Sequence, residues 1–176
     1  HSVVRTSCPR DAARMVSTII DSSADLSTMP STPARVGQGM TVLSSGESVA
    51  EDQVAAIQDV LAPTGRTVVV PESQQDIATA LSGSAPAYFF LVVEALVDAG
   101  VAGGLPRGVA SDLAVQAALG AGTMLRETGE EAVILRSQVT SPGGSTAAAL
   151  RELEAGGVRE AFARAVEACA RRSSGS

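Results

Sequence analysis

The sequence predicts a mainly α-helical chain preceded by one short β-α-β unit, and three observations carry that reading. Apolar residues fill 45% of the 176 positions but aromatics only 2%, with no tryptophan. The core must therefore come from Ala, Val and Leu, which suits closely packed helices more than a β-sandwich. Every hydrophobic pattern from Glu72 onward has the helical period. Only residues 39–44 and 66–70 read as strands, and one β-α-β unit cannot stand alone, so it must pack on the helices that follow or on protein outside this chain.

Taken in order, residues 1–28 carry the weakest pattern: a short amphipathic helix over 11–20, then a loop over 21–28 rich in Ser and Asp. The chain starts at His1 instead of Met, which points to a fragment or a processed product. Pro30 and Pro33 make residues 29–33 a rigid turn, because each proline pushes the residue before it out of the helical region. Between the two strands, residues 48–61 form a helix opened by a Ser48/Glu51 capping box, with Val49, Val54, Ile57, Val60 and Leu61 on one apolar stripe.

Pro86 opens a helix whose stretch 87–97 is apolar nearly all round and which ends at Gly100. Such a helix is normally buried on every side. Pro106 starts a helix to about Thr128, closed by Gly129, and its face of Ala110, Ala114, Ala117, Ala118, Gly120, Ala121 and Gly122 permits close approach of another helix. A short helix follows over 130–137, then one that runs from the 143–146 stretch to Gly156-Gly157, then an amphipathic helix over 158–172 with Phe162, Ala165, Val166 and Cys169 on one side. A chain of this size has too little protein to surround that much apolar and small-residue surface, so a second copy is expected to supply the cover.

The stretch that organises the chain is Thr140-Ser141-Pro142-Gly143-Gly144-Ser145-Thr146, directly ahead of the helix. Pro142 pre-sets a helical φ, and the two glycines leave the backbone uncovered, so N–H groups without an intrahelical partner can face a ligand across no side chain. The helix dipole favours an anion there, and the hydroxyls of Thr140, Ser141, Ser145 and Thr146 can add directed hydrogen bonds to a carboxylate or phosphate. The alternative is a plain N-cap with a flexible lead-in.

Composition removes several function classes. The formal charge is −6 and all 13 cationic side chains are arginine. No basic patch marks a nucleic-acid partner, and without lysine no Schiff base or lysine acid is available. The lone histidine is at the first position, and Cys8 and Cys169 lie too far apart for metal-type spacing, so no metal site is expected and both cysteines are expected as free thiols. No apolar run approaches a membrane span and no signal peptide is visible, so the expectation is a soluble, cytoplasmic protein with no membrane partner.

The motifs Ser82-Gly83-Ser84-Ala85-Pro86-Ala87-Tyr88-Phe89-Phe90, Glu94-Ala95-Leu96-Val97-Asp98-Ala99-Gly100-Val101, Gly104-Leu105-Pro106-Arg107, Met124-Leu125, Glu127-Thr128-Gly129 and residues 139–146 resemble the pyrroline-5-carboxylate reductase family. They fall in that family's order and spacing across about residues 29–172. The resemblance implies an N-terminal Rossmann domain that binds NADPH, a C-terminal all-helical dimerisation domain, and an active site between them. It also implies hydride transfer to the C=N bond of 1-pyrroline-5-carboxylate, giving L-proline. Residues 29–72 would then be the β-α-β remnant of the Rossmann domain, 73–172 the helical dimerisation and substrate domain, and 173–176 a disordered tail. Partners implied are the small-molecule substrate and a homodimer, or a higher assembly of dimers. NADPH is the implied cofactor, with NADH as the alternative.

The resemblance assigns roles residue by residue. The N–H groups of Gly144, Ser145 and Thr146 would hold the substrate carboxylate with the Ser141 hydroxyl nearby, and the Thr146 hydroxyl would lie by the ring nitrogen as the catalytic group. Glu72 and Gln138 match positions by the cofactor or substrate, and Met29, Pro30 and Ser31 match the turn under the nicotinamide. As structural alternatives, Glu72 can cap the helix that follows, Gln138 can be a solvated helix-end residue, and Tyr88 reads as core. Four departures stand out. The G-x-G-x-x-G loop that cradles a dinucleotide pyrophosphate occurs nowhere in the chain. Residues 7–28 read as an insertion between Val3-Val4-Arg5-Thr6 and Met29-Pro30, expected as a surface excursion or disordered. Ser31 replaces the usual Asn, and Ala85 the usual Gly, which matters if position 85 needs a positive φ. The competing readings are a truncated reductase of this family, a non-catalytic helical dimerisation module of the same fold, and a related reductase of another cyclic imine.

Overall fold

The computed structural model describes residues 26–45 and 51–174. The expected helix over 11–20, Cys8, the Ser48 half of the capping box and all but the end of the expected insertion lie outside those residues. The chain divides into two compact units, one of His1–Pro86 with Ala165–Ser176 and the other of Ala87–Arg164.

The first unit holds a three-stranded sheet in the order β1-β2-β3, with β1 Leu26–Pro30, β2 Gly39–Ser45 and β3 Gly65–Val69. Helix α1, Glu51–Leu61, connects the parallel pair β2 and β3, giving the expected β-α-β unit. The central strand reads as a continuous buried run, Thr41-Val42-Leu43-Ser44, as a strand covered on both faces should. Leu43, Ile57 and Leu61 form the core, with Val54 and Val60 packed against it, so four residues of the predicted stripe lie on the buried face of α1, while Val49 falls outside the described residues. Helix α2, Gln75–Ser82, follows a 3-10 turn at Glu72–Gln74 and packs on β2, buries Ala80 and Thr79, and is tied there by the Ser44 hydroxyl, which donates to Gln75 Oε1 at 2.6 Å.

Strand β1 corrects the sequence reading, which made 21–28 a loop and 29–33 a turn. Leu26–Pro30 pairs antiparallel with β2, from Leu26 opposite Ser45 to Pro30 opposite Thr41. Ser, Thr and Pro favour turns locally, but the open edge of β2 supplies the pairing, and proline is tolerated on an edge strand. For residues 26–28 the expected surface excursion or disorder is therefore replaced by strand. The turn begins three residues later than expected, at the 3-10 stretch Thr32–Val36, closed by Gly37 at φ 70°.

The second unit is helical: most of α3 Ala85–Ala102, then α4 Arg107–Thr128, α5 Ala132–Gln138, α6 Ser145–Ala155 and the first part of α7 Val158–Ser173. Pro106 sits at the N-cap position of α4 and Gly129 ends it at φ 66°, as the proline–glycine punctuation predicted. α3 runs two residues past its expected stop at Gly100. Its contact with α4 is narrow, a core of Val97, Ala110 and Ala114 with Val93 alongside. The Asp98–Arg107 pair at 2.7 Å spans the hairpin turn.

The apolar face of α3 is where sequence and single chain diverge. The pattern called for burial on all sides, yet within 87–97 only Val97 is buried, while Phe89, Phe90 and Leu91 are 67%, 63% and 64% exposed. The helical stretch Glu72–Ala102 also contains an 18-residue window, of mean hydropathy 1.6, that is long and apolar enough to cross a membrane by length and composition alone. This corrects the expectation that no apolar run approaches a span.

Two glycine substitutions separate steric from open sites. A side chain at Gly65, which has φ 138°, would meet the Gly39 backbone directly, whereas one at Gly108 meets nothing within 4 Å. Gly65→Ala is expected to lower the unfolding free energy by more than about 2 kcal/mol and Gly108→Ala to raise it by up to about 1 kcal/mol, as measured by urea denaturation.

Candidate functional site

The loop from Val139 to Gly144 joins α5 to α6 and is held by its own backbone. Thr140 N–H donates to Ser137 O at 3.1 Å, and Gly144 N–H donates to Ser141 O at 3.0 Å. Gly143 takes φ 70°, a left-handed conformation that glycine adopts without a Cβ penalty. Gly144 is the N-cap residue of α6, and no side chain caps the helix. The first intrahelical bond is Ala148 N–H to Gly144 O at 3.1 Å, so the N–H groups of Ser145, Thr146 and Ala147 have no intrahelical acceptor. Gly144 and Thr146 are half-buried, and Ser141, Gly143 and Ser145 are exposed.

Chemically, this end can accept an anion: three unpaired N–H groups, the positive end of a helix dipole and an exposed approach over glycine. The four hydroxyls are not equivalent. Thr140 Oγ1 donates its proton to Arg136 O at 2.6 Å, so it braces the C-terminal turn of α5 and has no proton left for a ligand. Ser141 Oγ lies over Gly144, where a Cβ would collide with it, and Ser141 O would be 3.2 Å from that Cβ. Glycine at 144 is therefore what lets the Ser141 hydroxyl stand beside the helix start.

The other predicted residues fall in two places. Gln138, at the end of α5, donates from Nε2 to Glu130 Oε2 at 3.0 Å and is exposed. In the first unit, Ser31 is 5% exposed and closes the β1–β2 end by two bonds, its N–H to Met40 O at 3.2 Å and Met40 N–H to Ser31 Oγ at 2.9 Å. Met29 and Pro30 precede it on the edge strand and are exposed. Glu72 lies beyond the far end of β3, since Val69 is level with Leu43 and Thr28, while Ser31 lies past the Pro30–Thr41–Thr67 level. Met29, Pro30 and Ser31 are thus brought together, and Glu72 is at the opposite end of the same sheet. Glu72 is exposed in the first turn of the 3-10 stretch and makes no cap bond. Ala85 opens α3, and among the described residues no non-glycine has a positive φ. The backbone there is helical, so alanine replaces glycine without strain.

Sequence reasoning missed one charged cluster. Glu154, in the last turn of α6, receives Arg159 Nε at 2.9 Å on each carboxylate oxygen and Nη2 at 2.7 Å, and Arg136 Nη1 lies 3.8 Å from its Oε1. The Arg159 hydrogen bonds, with the charges of Arg159 and Arg136, hold the Glu154 carboxyl below its usual range. The five-residue spacing across Gly156-Gly157 is not a helical pair, so no helix rule flags it. Cys169 is a free thiol 3.1 Å from Ser84 Oγ. Among the described residues no group of three or more His, Cys, Asp and Glu could hold a metal ion.

These features define a class: a helical domain whose apolar helix is left uncovered by its own chain, preceded by the last β-α-β stretch of an α/β nucleotide-binding fold. Residues 72–176 match the family model for the pyrroline-5-carboxylate reductase dimerisation domain. The chain is 52% identical over 145 residues to a pyrroline-5-carboxylate reductase of Corynebacterium melassecola, covering 82% of this chain and 54% of that protein. A pyrroline-5-carboxylate reductase of Coxiella burnetii has a similar structure, with TM-score 0.83 and 40% identity over 86% of this chain and 57% of that one. The Plasmodium falciparum pyrroline carboxylate reductase solved with NADP bound gives TM-score 0.78 at 34% identity, over 84% and 61%. The chain belongs to the pyrroline-5-carboxylate reductase family. It spans about half the length of the curated relatives it matches.

The Ser141–Gly144 contact makes a coupled prediction. Gly144→Ala alone should destabilise the protein, and the same change in a Ser141→Ala background should cost less by about 1 kcal/mol, because the colliding hydroxyl is gone. A double-mutant cycle in urea measures the difference.

Proposed function

We propose that the protein is a pyrroline-5-carboxylate reductase of L-proline biosynthesis, which transfers a hydride to the C=N bond of 1-pyrroline-5-carboxylate. The observation that carries this reading is the uncapped start of α6, where Ser145 and Thr146 N–H groups meet the approach over Gly143-Gly144. The substrate carboxylate would bind there, with Ser141 Oγ beside it. Thr146 is the residue we assign to the ring nitrogen, as donor or relay of its proton. An imine is basic enough to take that proton from a hydroxyl or water, so the residues act mainly by holding the C=N carbon in line. The relatives named for this activity support the reading.

The cofactor is NADPH, with NADH as the alternative carrier, supported by the NADP-bound relative from Plasmodium falciparum. When bound, reduced nicotinamide supplies the hydride. Met29, Pro30 and Ser31 are the residues proposed to border it, because Ser31 fixes that turn through Met40 while Met29 and Pro30 stay exposed. Glu72 and Gln138 are proposed as further contacts to cofactor or substrate. No described connection from strand to helix is glycine-rich, so the residues here fit only part of a dinucleotide and no pyrophosphate contact is assigned to them. Residues 29–72 are proposed as the closing part of the cofactor domain and 73–172 as the helical domain, in a cytoplasmic enzyme.

The partner we assign to the α3 face is a second copy of the chain, consistent with a dimerisation-domain family. A membrane partner is not proposed, because Glu94 and Asp98 interrupt the apolar surface with charge.

Three measurements test these statements. The 176-residue chain should sediment as a dimer at micromolar concentration, and the pair Phe89→Glu with Leu91→Glu should give monomers; a folded parent monomer would remove the second copy. The chain alone should turn over 1-pyrroline-5-carboxylate with NADPH barely if at all, since it carries no pyrophosphate loop, and robust turnover would contradict that. Joined to a complete cofactor domain, it should be active. There Thr146→Val should lower turnover by roughly one to two orders of magnitude, the scale of one oriented donor, and Gly144→Val should nearly abolish it. Parent rates in both variants would reduce the motif to a helix start without a ligand.

A further inference from the structure

Helix α6 is held at both ends, and the two holds share one residue. At its start, the loop is braced by Thr140 Oγ1 on the carbonyl of Arg136. At its far end, Glu154 is gripped by Arg159 through both carboxylate oxygens, and the Arg136 guanidinium is 3.8 Å away. Arg136 thus meets the loop through its backbone and the end of α6 through its side chain, while Arg159 adds the first turn of α7 across the Gly156-Gly157 turn. Isolated exposed ion pairs contribute little, but a bidentate Arg–carboxylate pair joined by a second cation is the exception, so this cluster can favour one direction of the helix. A helix anchored at one end can tilt; one anchored at two points roughly 14 Å apart, from Ser145 to Glu154 at 1.5 Å per residue, cannot. Binding groups must keep their direction within about 10–20° to work.

We propose that Arg136, Glu154 and Arg159 are positioning residues that set the direction in which the Ser145 and Thr146 N–H groups face a carboxylate. The ligand half of this inference rests on the function proposed above; the positioning half does not. A glutamate carboxyl is ionised at neutral pH in any case, and the Arg159 hydrogen bonds lower that of Glu154 further.

The test uses the 176-residue chain and amide NMR, with L-proline as the probe ligand. Glu154→Gln should move the amide signals of Gly144, Ser145 and Thr146, despite their distance, and raise the L-proline dissociation constant roughly three- to tenfold, the scale of one misaligned charge-assisted bond. Arg159→Gln should do the same, Glu154→Asp should recover part of the loss, and high salt should move the parent toward the variants. Arg151→Gln, a charge change on the same helix outside the cluster, should leave signals and affinity in place. Unmoved 144–146 amides with an affinity within twofold of the parent would overturn the proposal. Moved amides in a protein that never binds L-proline would keep the positioning role and discard the carboxylate site.

Discussion

The structure depends first on what covers α3. Phe89, Phe90 and Leu91 are each more than three-fifths exposed, and their contact with water is unfavourable in proportion to apolar area. Among the described residues, the buried apolar contact of α3 with α4 is a small cluster of Val93, Val97, Ala110 and Ala114, too small a set to order five helices. The second unit is therefore built to be finished by more protein. That sets the sequence economy of α4 as well, where alanine and glycine keep one face thin.

A second constraint acts on the backbone at the start of α6. A helix start exposes donors that something must satisfy, and here no side chain does so. Serine and threonine are abundant next to it, yet none caps its N–H groups: Thr140 bonds to Arg136, Ser137 to Ile134, and Ser141 stands over Gly144. Their effect is to stiffen the approach to the helix while its N–H groups stay open. The carboxylate site proposed above would use such a preorganised, open helix start.

The helical part was legible because its boundaries are written in residues that act locally. Pro106, Gly129 and Gly157 mark their positions through their own φ preferences, and the structure places Gly129 at 66° and Gly157 at 72°. Strand β1 was not legible, since Leu26–Pro30 becomes a strand only against β2, and its own residues favour turns. The loop at 140–146 could be found from its glycines, but not that Thr140 is bound backward to α5. Nor could the Glu154 cluster be read, because its three members come from three helices. The departure at Ala85 looked like a strain problem in sequence and dissolved once its backbone proved helical.

The antiparallel register of β1 has a consequence for how this chain tolerates change. Leu26 lies opposite Ser45, so the segment entering β1 and the segment leaving β2 meet the sheet at one corner, and the Ser31 turn occupies the other end. Length variation at that corner is mechanically remote from the turn: residues can be gained or lost ahead of Leu26 without displacing the Ser31–Met40 bonds. Variation between Pro30 and Gly39 has no such freedom, because that connection is the turn itself. The sheet thereby holds the Pro30–Gly39 connection to a fixed length.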